Sequence, residues 1–382
     1  MYELTLLILI FIAALAYDVV NGFHDAANSI AMSIWSNALS PRNAIILAVV
    51  FNFAGALSHT AVAYTIGKGV VSSDFVTGTI LFAALMSAIS WGMFTWKLGL
   101  PSSSTHALVG GLIGSALVAS NFDFSVLIAE GITKIIVAMF LAPFAGFIGG
   151  FLLLAIIIWP LYGLNKGLPK LKPPTNRIYV WMKQFRSRRN SFWKIALLIL
   201  PIYWPYWKLR VNKRPTNRVF KVIQIGSAAW MSFTHGMNDA QNAMGIITMS
   251  LLSYGALTEF TVPLSVRILC ALAMGVGTMI GGWKIIKTVI NQLAGEECMP
   301  IEGFAAQTAA GGVIFGMSLV GAPISTSHSI SSTVLGVNGA HGLKGINWGK
   351  VGEMIFAWIV TIPATAIISA IIWYCFHLFG SQ

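Results

Sequence analysis

Asn21-Gly22-Phe23-His24-Asp25-Ala26-Ala27-Asn28 lies within apolar sequence, and the second half of the chain repeats it as His235-Gly236-Met237-Asn238-Asp239-Ala240-Gln241-Asn242. Gly, Asp, Ala and Asn recur at matching places, with Asp and the final Asn three residues apart each time. An ionised Asp at the centre of a membrane helix costs on the order of 3 kcal/mol, so such residues face a bundle interior or an ion pathway. Two of them at matching points of two halves read as one pseudo-symmetric site.

The surrounding chain is apolar. Of its 382 residues 56% are hydrophobic and 9% charged, and the mean hydropathy is +0.77, which excludes an ordinary soluble protein. Apolar tracts run over 4–20, 43–66, 78–96, 107–119, 132–162, 221–234, 264–283, 304–322 and 351–379. Several reach the roughly 20 residues that a helix needs to cross a hydrocarbon core of about 30 Å. They are continuous and do not alternate every second residue, so helices are expected and a barrel is not. The predicted fold class is an all-α polytopic membrane protein. The first tract opens with Glu3 and no Lys or Arg, and runs directly into the polar stretch from Asp18 to Asn28, so it reads as a structural helix and not as a signal peptide.

A net charge of +12 would point to nucleic acid in a soluble chain. Here fifteen of the 24 Lys and Arg fall between Lys166 and Lys221, and no acidic residue lies between Glu130 and Asp239. The positive-inside rule makes this a cytoplasmic connecting segment, and no nucleic-acid partner is expected. Both ends of the chain lack Lys and Arg, which puts them outside. Trp181, Trp193, Trp204 and Trp207 suit the segment to rest on the lipid bilayer, while Leu197–Leu200 is too short to span it. The chain is thus divided into a first transmembrane repeat over 1–165, a basic linker over 166–221 and a second repeat over 222–382. Cys270, Cys298 and Cys375 are isolated, with neither disulfide nor zinc spacing.

A second duplication supports the division. Pro101-Ser102-Ser103-Ser104-Thr105-His106 is matched by Pro323-Ile324-Ser325-Thr326-Ser327-His328, with Gly114 and Gly336 following at the same offset. Asp precedes Pro by 76 residues in one half and 84 in the other. Repeats with interrupted helices at corresponding positions are the mark of a secondary transporter with its site near the bilayer midplane. Ends outside and a linker inside give each half an odd number of crossings, so the halves are expected to be inverted relative to one another.

Three residues apart on a helix, Asp25 and Asn28 share a face, as do Asp239 and Asn242. Gly22 and Gly236 are expected to break their helices and free backbone groups for ions. The alternative is that each Asp-Asn pair is interhelical glue. In the Ser/Thr clusters, a helix N-terminus offers unpaired N–H donors and partial positive charge, which suits a tetrahedral oxyanion. Ser103, Ser104 and Thr105, with Ser325, Thr326 and Ser327, add hydroxyl donors. Simple N-capping is the plainer reading, but it needs one hydroxyl and each cluster has three. Two carboxylates repel an anion until a cation or proton neutralises them, and that dependence is symport. His24, His106 and His328 read either as hydrogen-bond partners that orient the site or as direct participants in proton coupling. Asp18 reads as a mouth residue or a cap. Gly146–Gly150 and Gly277–Gly281 read as close helix packing.

At these residues the chain resembles the inorganic phosphate transporter family. The two Asp-Asn motifs resemble its signature segments, and PSSSTH and PISTSH its two hairpin tips. Phe51–Leu57 and Gly277–Trp283 are similar to its low-affinity bacterial branch. The resemblance implies inverted repeats with broken helices and re-entrant helical hairpins, in a bacterial-type cytoplasmic (inner) membrane. It implies uptake of inorganic phosphate, free or as a metal complex, driven by protons or sodium ions, with no cofactor and no resident metal. Phosphate contacts are expected at Asp25, Asn28, Ser103, Ser104, Thr105, Asp239, Asn242, Ser325, Thr326 and Ser327. The coupling cation is expected at Asp25, Asn28, Asp239, Asn242 and, by resemblance alone, Gln307. A second copy of the chain stays open as a partner. Sulfate stays open as the cargo, and a membrane-embedded hydrolase is the alternative from another class, although HExxH and GxSxG are absent.

Overall fold

The structure, a computed structural model, describes residues 2–164, 213–281, 298–341 and 348–380, together with Ile286 and Ile346. The expectations placed on the four linker tryptophans and on Leu197–Leu200 lie outside these residues. The first half contains α1 (Tyr2–Trp35), α2 (Pro41–Ser58), α3 (Ala61–Lys68), α4 (Gly78–Leu98), α5 (Ser104–Ala119) and α6 (Ala129–Leu164). The second contains α7 (Lys213–Ser253), α8 (Leu264–Ile280), α9 (Pro300–Leu319), α10 (Thr326–His341) and α11 (Trp348–Gly380). Helix α7 thus begins inside the basic segment, nine residues before the expected start of the second repeat. Among the described residues, α1, α2, α4, α6 and α11 are long and apolar enough to cross a membrane. Their outward faces carry exposed side chains such as Ile12, Phe140, Phe144, Phe356 and Ile359, a surface that water would not tolerate and lipid does. The protein is a multi-pass α-helical membrane protein.

Contacts between helices survive exchange of the two halves. α5 packs on α11 as α10 packs on α6, and α1 crosses α8 as α7 crosses α2. α4 lies on α1 and α11 as α9 lies on α7 and α6. At the centre α1 and α7 run antiparallel: Tyr17 meets Asn242 near one end and Ser36 meets Gln224 near the other. Apolar cores flank this crossing. One gathers Leu6–Tyr17 of α1 with Ala240–Met249 of α7, and the other gathers Ile30–Met32 of α1 with Met231 of α7. The duplicated polar motifs sit between them.

α4–α5 and α9–α10 form two helical hairpins. Each turns a corner on a glycine in the left-handed region, Gly99 at φ 69° and Gly321 at φ 65°, where a Cβ would be strained. Four or so extended residues then lead into the next helix. At 16 residues each, α5 and α10 are about 24 Å long, short of a hydrocarbon core. Both ends of the first hairpin lie at the same end of the bundle, because Val71, before α4, bridges Leu127, after α5.

One expectation is overturned here. Helix α1 runs unbroken through Gly22, and α7 through Gly236. These glycines serve close approach: a Cβ on Gly22 would overlap the Met274 carbonyl of α8, and one on Gly236 the Asn52 carbonyl of α2. Gly277 and Gly55 answer them from the facing helices, against Val19 and Phe233. Gly150 likewise lies on the Thr333 backbone of α10, as the small-residue spacing led us to expect.

Candidate functional site

The middle of α1 and the middle of α7 place Asp25, Asn28, Asp239 and Asn242 face to face, and α5 and α10 begin beside them. All four side chains are buried. The two tips meet head to head. The rings of His106 and His328 pack edge to face, 4.9 Å between centroids, and Ser327 Oγ donates to the Ser102 carbonyl at 3.3 Å.

Each tip divides its three hydroxyls in the same way. The first caps the helix: Ser103 Oγ accepts from the His106 N–H, and Ser325 Oγ from the His328 N–H, both at 3.2 Å. The second reaches the Asp of its own half, Ser104 Oγ to Asp25 Oδ2 at 3.2 Å and Thr326 Oγ1 to Asp239 Oδ2 at 3.1 Å. The third accepts from the Asn of the other half. Asn242 Nδ2 donates to Thr105 Oγ1 at 2.9 Å, and Asn28 Nδ2 to Ser327 Oγ at 2.7 Å. Ser327 also donates to Asp25 Oδ1 at 2.8 Å. The capping reading therefore holds for one hydroxyl per tip and fails for the other two.

Residues just before each Asp complete the site. Asn238 Nδ2 donates to Asp239 Oδ1 at 2.7 Å, and His24 Nδ1 stands 3.3 Å from Asp25 Oδ1 while Nε2 meets Thr95 Oγ1 at 3.2 Å. One carboxylate oxygen each from Asp25 and Asp239, with a ring nitrogen of His235, lie within 4.8 Å of one another. Two carboxylate charges at that separation repel by about 3–4 kcal/mol at an effective dielectric near 20. Among the described residues no Lys or Arg pairs with either; the ion-pair contacts are His24–Asp25 and His235–Asp239. The Asn28 and Asn242 carbonyl oxygens are buried without hydrogen-bond partners. Two carboxylates and two free amide oxygens are the ligand type of a hard cation. The converging starts of α5 and α10 bring the positive ends of two helix dipoles to the same place, which favours an anion.

Residues 21–369 match the phosphate transporter family, and a Bacillus subtilis (strain 168) protein named probable low-affinity inorganic phosphate transporter is 40% identical over 98% of both chains. The chain belongs to the phosphate transporter family. A Rhizobium meliloti (strain 1021) protein of the same name is 35% identical, over 98% of this chain and 97% of its own. A solved structure named the sodium-dependent phosphate transporter shares the fold, with a TM-score of 0.80 at 24% identity over 98% of this chain and 99% of that one. The family and these relatives are transporters and not enzymes, which removes the hydrolase alternative.

Gln307 of this family member stands apart from the other expected site residues. Its carboxamide donates to the Ser29 carbonyl and Ser33 and accepts from Ser33 and Ser227, all at 2.8–3.2 Å. With Ser36 bonded to Gln224, these groups form a buried polar cluster at one end of the α1–α7 crossing. Of its counterparts at the other end, Ile10, Ala13, Leu85, Ala243 and Ile247 are apolar and buried, and Ser250, which matches Ser36, donates to the Ile247 carbonyl. His106 and His328 make no hydrogen bond through their ring nitrogens, so only His24 of the three histidines orients a site residue. Sequence reasoning passed over His235 and Asn238. The four-residue spacing from His235 to Asp239 was the available signal, one helical turn on a single face.

Proposed function

We propose that this transporter imports inorganic phosphate by symport with a cation, proton or sodium, the two inverted halves sharing one central site. The observation that carries this reading is the meeting of two helix starts whose hydroxyls are bonded to the carboxylates and amides of α1 and α7. In this arrangement Ser104, Thr326 and Ser327 donate to the carboxylates. An arriving phosphate takes those donors, because its oxygens accept the same O–H groups and the N–H groups of the helix starts. The carboxylates are then left charged, buried and short of partners, at a cost of several kcal/mol. A cation held between them and the Asn28 and Asn242 oxygens cancels that cost. Neither ligand binds well without the other, and the gradient of one drives the other.

Selectivity has a physical basis in the same groups. A protonated phosphate oxygen donates to a carboxylate, whereas sulfate has no proton to donate near neutral pH. The antiparallel crossing of α1 and α7 supports inverted halves, and the fifteen basic residues between Lys166 and Lys221 support a cytoplasmic linker with both ends outside. Liposomes holding the purified protein are expected to accumulate labelled phosphate under an imposed sodium gradient or an imposed proton gradient, and excess sulfate is expected to compete poorly. No accumulation under either gradient overturns the reading, and equal competition by sulfate overturns its selectivity.

A further inference from the structure

Asp18, Asn21, Asp25 and Asn28 follow one another at three, four and three residues, so α1 carries the Asp-x-x-Asn pattern twice along one stripe, about 10 Å apart. The two pairs differ in their surroundings. Asp25 and Asn28 are bonded to the tips, whereas both oxygens of Asp18 and both amide atoms of Asn21 have no hydrogen-bond partner. Exposure is 0% for Asp18 and 1% for Asn21, so both lie away from bulk solvent. Asp18 lies within an unbroken helix and is not a cap.

A buried carboxylate in this position needs its charge cancelled. Of the helices packed against α1, α8 presents the Cys270 thiol and α7 the Asp239 carboxylate; Tyr17 is the neighbour on its own helix. The thiol is a weak donor and closes no full hydrogen bond, and Asp239 has the same sign. Among the described residues no Lys or Arg pairs with Asp18. A hard cation surrounds itself with about six oxygens. The two Asp18 oxygens and the Asn21 oxygen are the free ones here, and a thiol is a poor substitute. A proton needs one oxygen only, with the Asn21 oxygen one turn away to accept from the resulting O–H.

We propose that Asp18, assisted by Asn21, is a proton-carrying position separate from the Asp25–Asp239 centre and present in the first half alone. Its counterpart in the second half is Ser232, whose hydroxyl already donates to the Ala228 carbonyl. Asn21 lines a pocket between α1, α4 and the start of α5, shared with Tyr17, His24, Trp91 and Ser104, which brings that pocket to within one helical turn of Asp18. Protonation of Asp18 removes one negative charge from beside Asp239, so proton binding there favours phosphate binding at the centre. This consequence rests on the phosphate-symport reading; the protonation of Asp18 does not.

The test is infrared spectroscopy of the full-length protein in liposomes without phosphate, titrated from acid to alkaline pH. At neutral pH, where exposed carboxyls are ionised, the wild type is expected to show a protonated-carboxyl C=O band that is absent in Asp18→Asn, present again in Asp18→Glu and retained in Asp25→Asn. A band that persists in Asp18→Asn overturns the proposal. Should that variant not fold, Asn21→Ala reads the same group: the band is expected to shift, and an unshifted band overturns the proposal. In uptake assays the ratio of protons to phosphate is expected to fall by one in Asp18→Asn, and an unchanged ratio overturns the coupling role. Absence of phosphate uptake in the wild type would strike the function reading and leave the band assignment standing.

Discussion

Ser103 and Ser104 are adjacent and chemically identical, yet one caps a helix and the other holds a carboxylate. Their substitutions are expected to separate. Ser103→Ala removes a cap worth about 1 kcal/mol, which lowers thermal stability in detergent with little effect on phosphate KM. Ser104→Ala and Thr326→Ala remove a donor that phosphate would use and weaken its binding by about 1–3 kcal/mol, seen as a raised KM in liposome uptake. Equal rises in KM for Ser103→Ala and Ser104→Ala would reject this division. Asp25→Asn and Asp239→Asn keep shape and remove the charge that demands a cation. Both proteins should insert and fold, and both should lose gradient-driven uptake; retained coupled uptake in both would reject the assigned role. Every one of these residues was legible in the sequence, because each motif occurs twice. Who bonds to whom was not. Asn28 finds Ser327 and Asn242 finds Thr105 across 299 and 137 positions of chain, and no local pattern records such a partner. His235 escaped for a related reason: its counterpart is Asn21, so a search for matched pairs overlooks it.

Among the helices, the α1–α8 and α7–α2 crossings are close approaches with a glycine on both sides. Sequence alone cannot tell a glycine that breaks a helix from one that lets a second helix come near, since the deciding atoms belong to the partner. Alanine at Gly22 or Gly236 gains up to about 1 kcal/mol of helix propensity. It also drives a Cβ into a backbone carbonyl that cannot move aside, and overpacking of this kind costs about 1–3 kcal/mol or more. The clash is expected to win, giving lower melting temperatures in detergent for Gly22→Ala and Gly236→Ala. Gly226, on the same α7 with nothing within 4 Å of a Cβ, is the control and should tolerate alanine. Matching losses at Gly226 would show that helix flexibility, and not close packing, is what these glycines supply. The hairpins, by contrast, were expected beforehand from the resemblance of PSSSTH and PISTSH to the family's hairpin tips; the residues themselves marked only a helix start after each Pro.

For the whole molecule, the proposed orientation places the loop between α5 and α6 outside and the loop between α1 and α2 in the cytoplasm. Ala129 and Arg42 are exposed at these two places. In a Cys375→Ser background, which removes the exposed native thiol, Ala129→Cys should react with a membrane-impermeant maleimide on intact cells. Arg42→Cys should react only after permeabilisation, and the reverse pattern would invert the topology. Composition and charge pointed to the membrane and to two halves; that the first hairpin enters and leaves at one end of the bundle became visible only when Val71 was seen against Leu127. The crossed bonds carry a further consequence, for inheritance. A duplicated segment is ordinarily free to drift from its twin, since each copy can fold and act alone. Here the hydroxyl that accepts from one copy's amide belongs to the other, so a change at Thr105 must be answered at Asn242, and one at Ser327 at Asn28. The two copies are bound to evolve as a pair, like the chains of an obligate dimer that happen to be written in one gene.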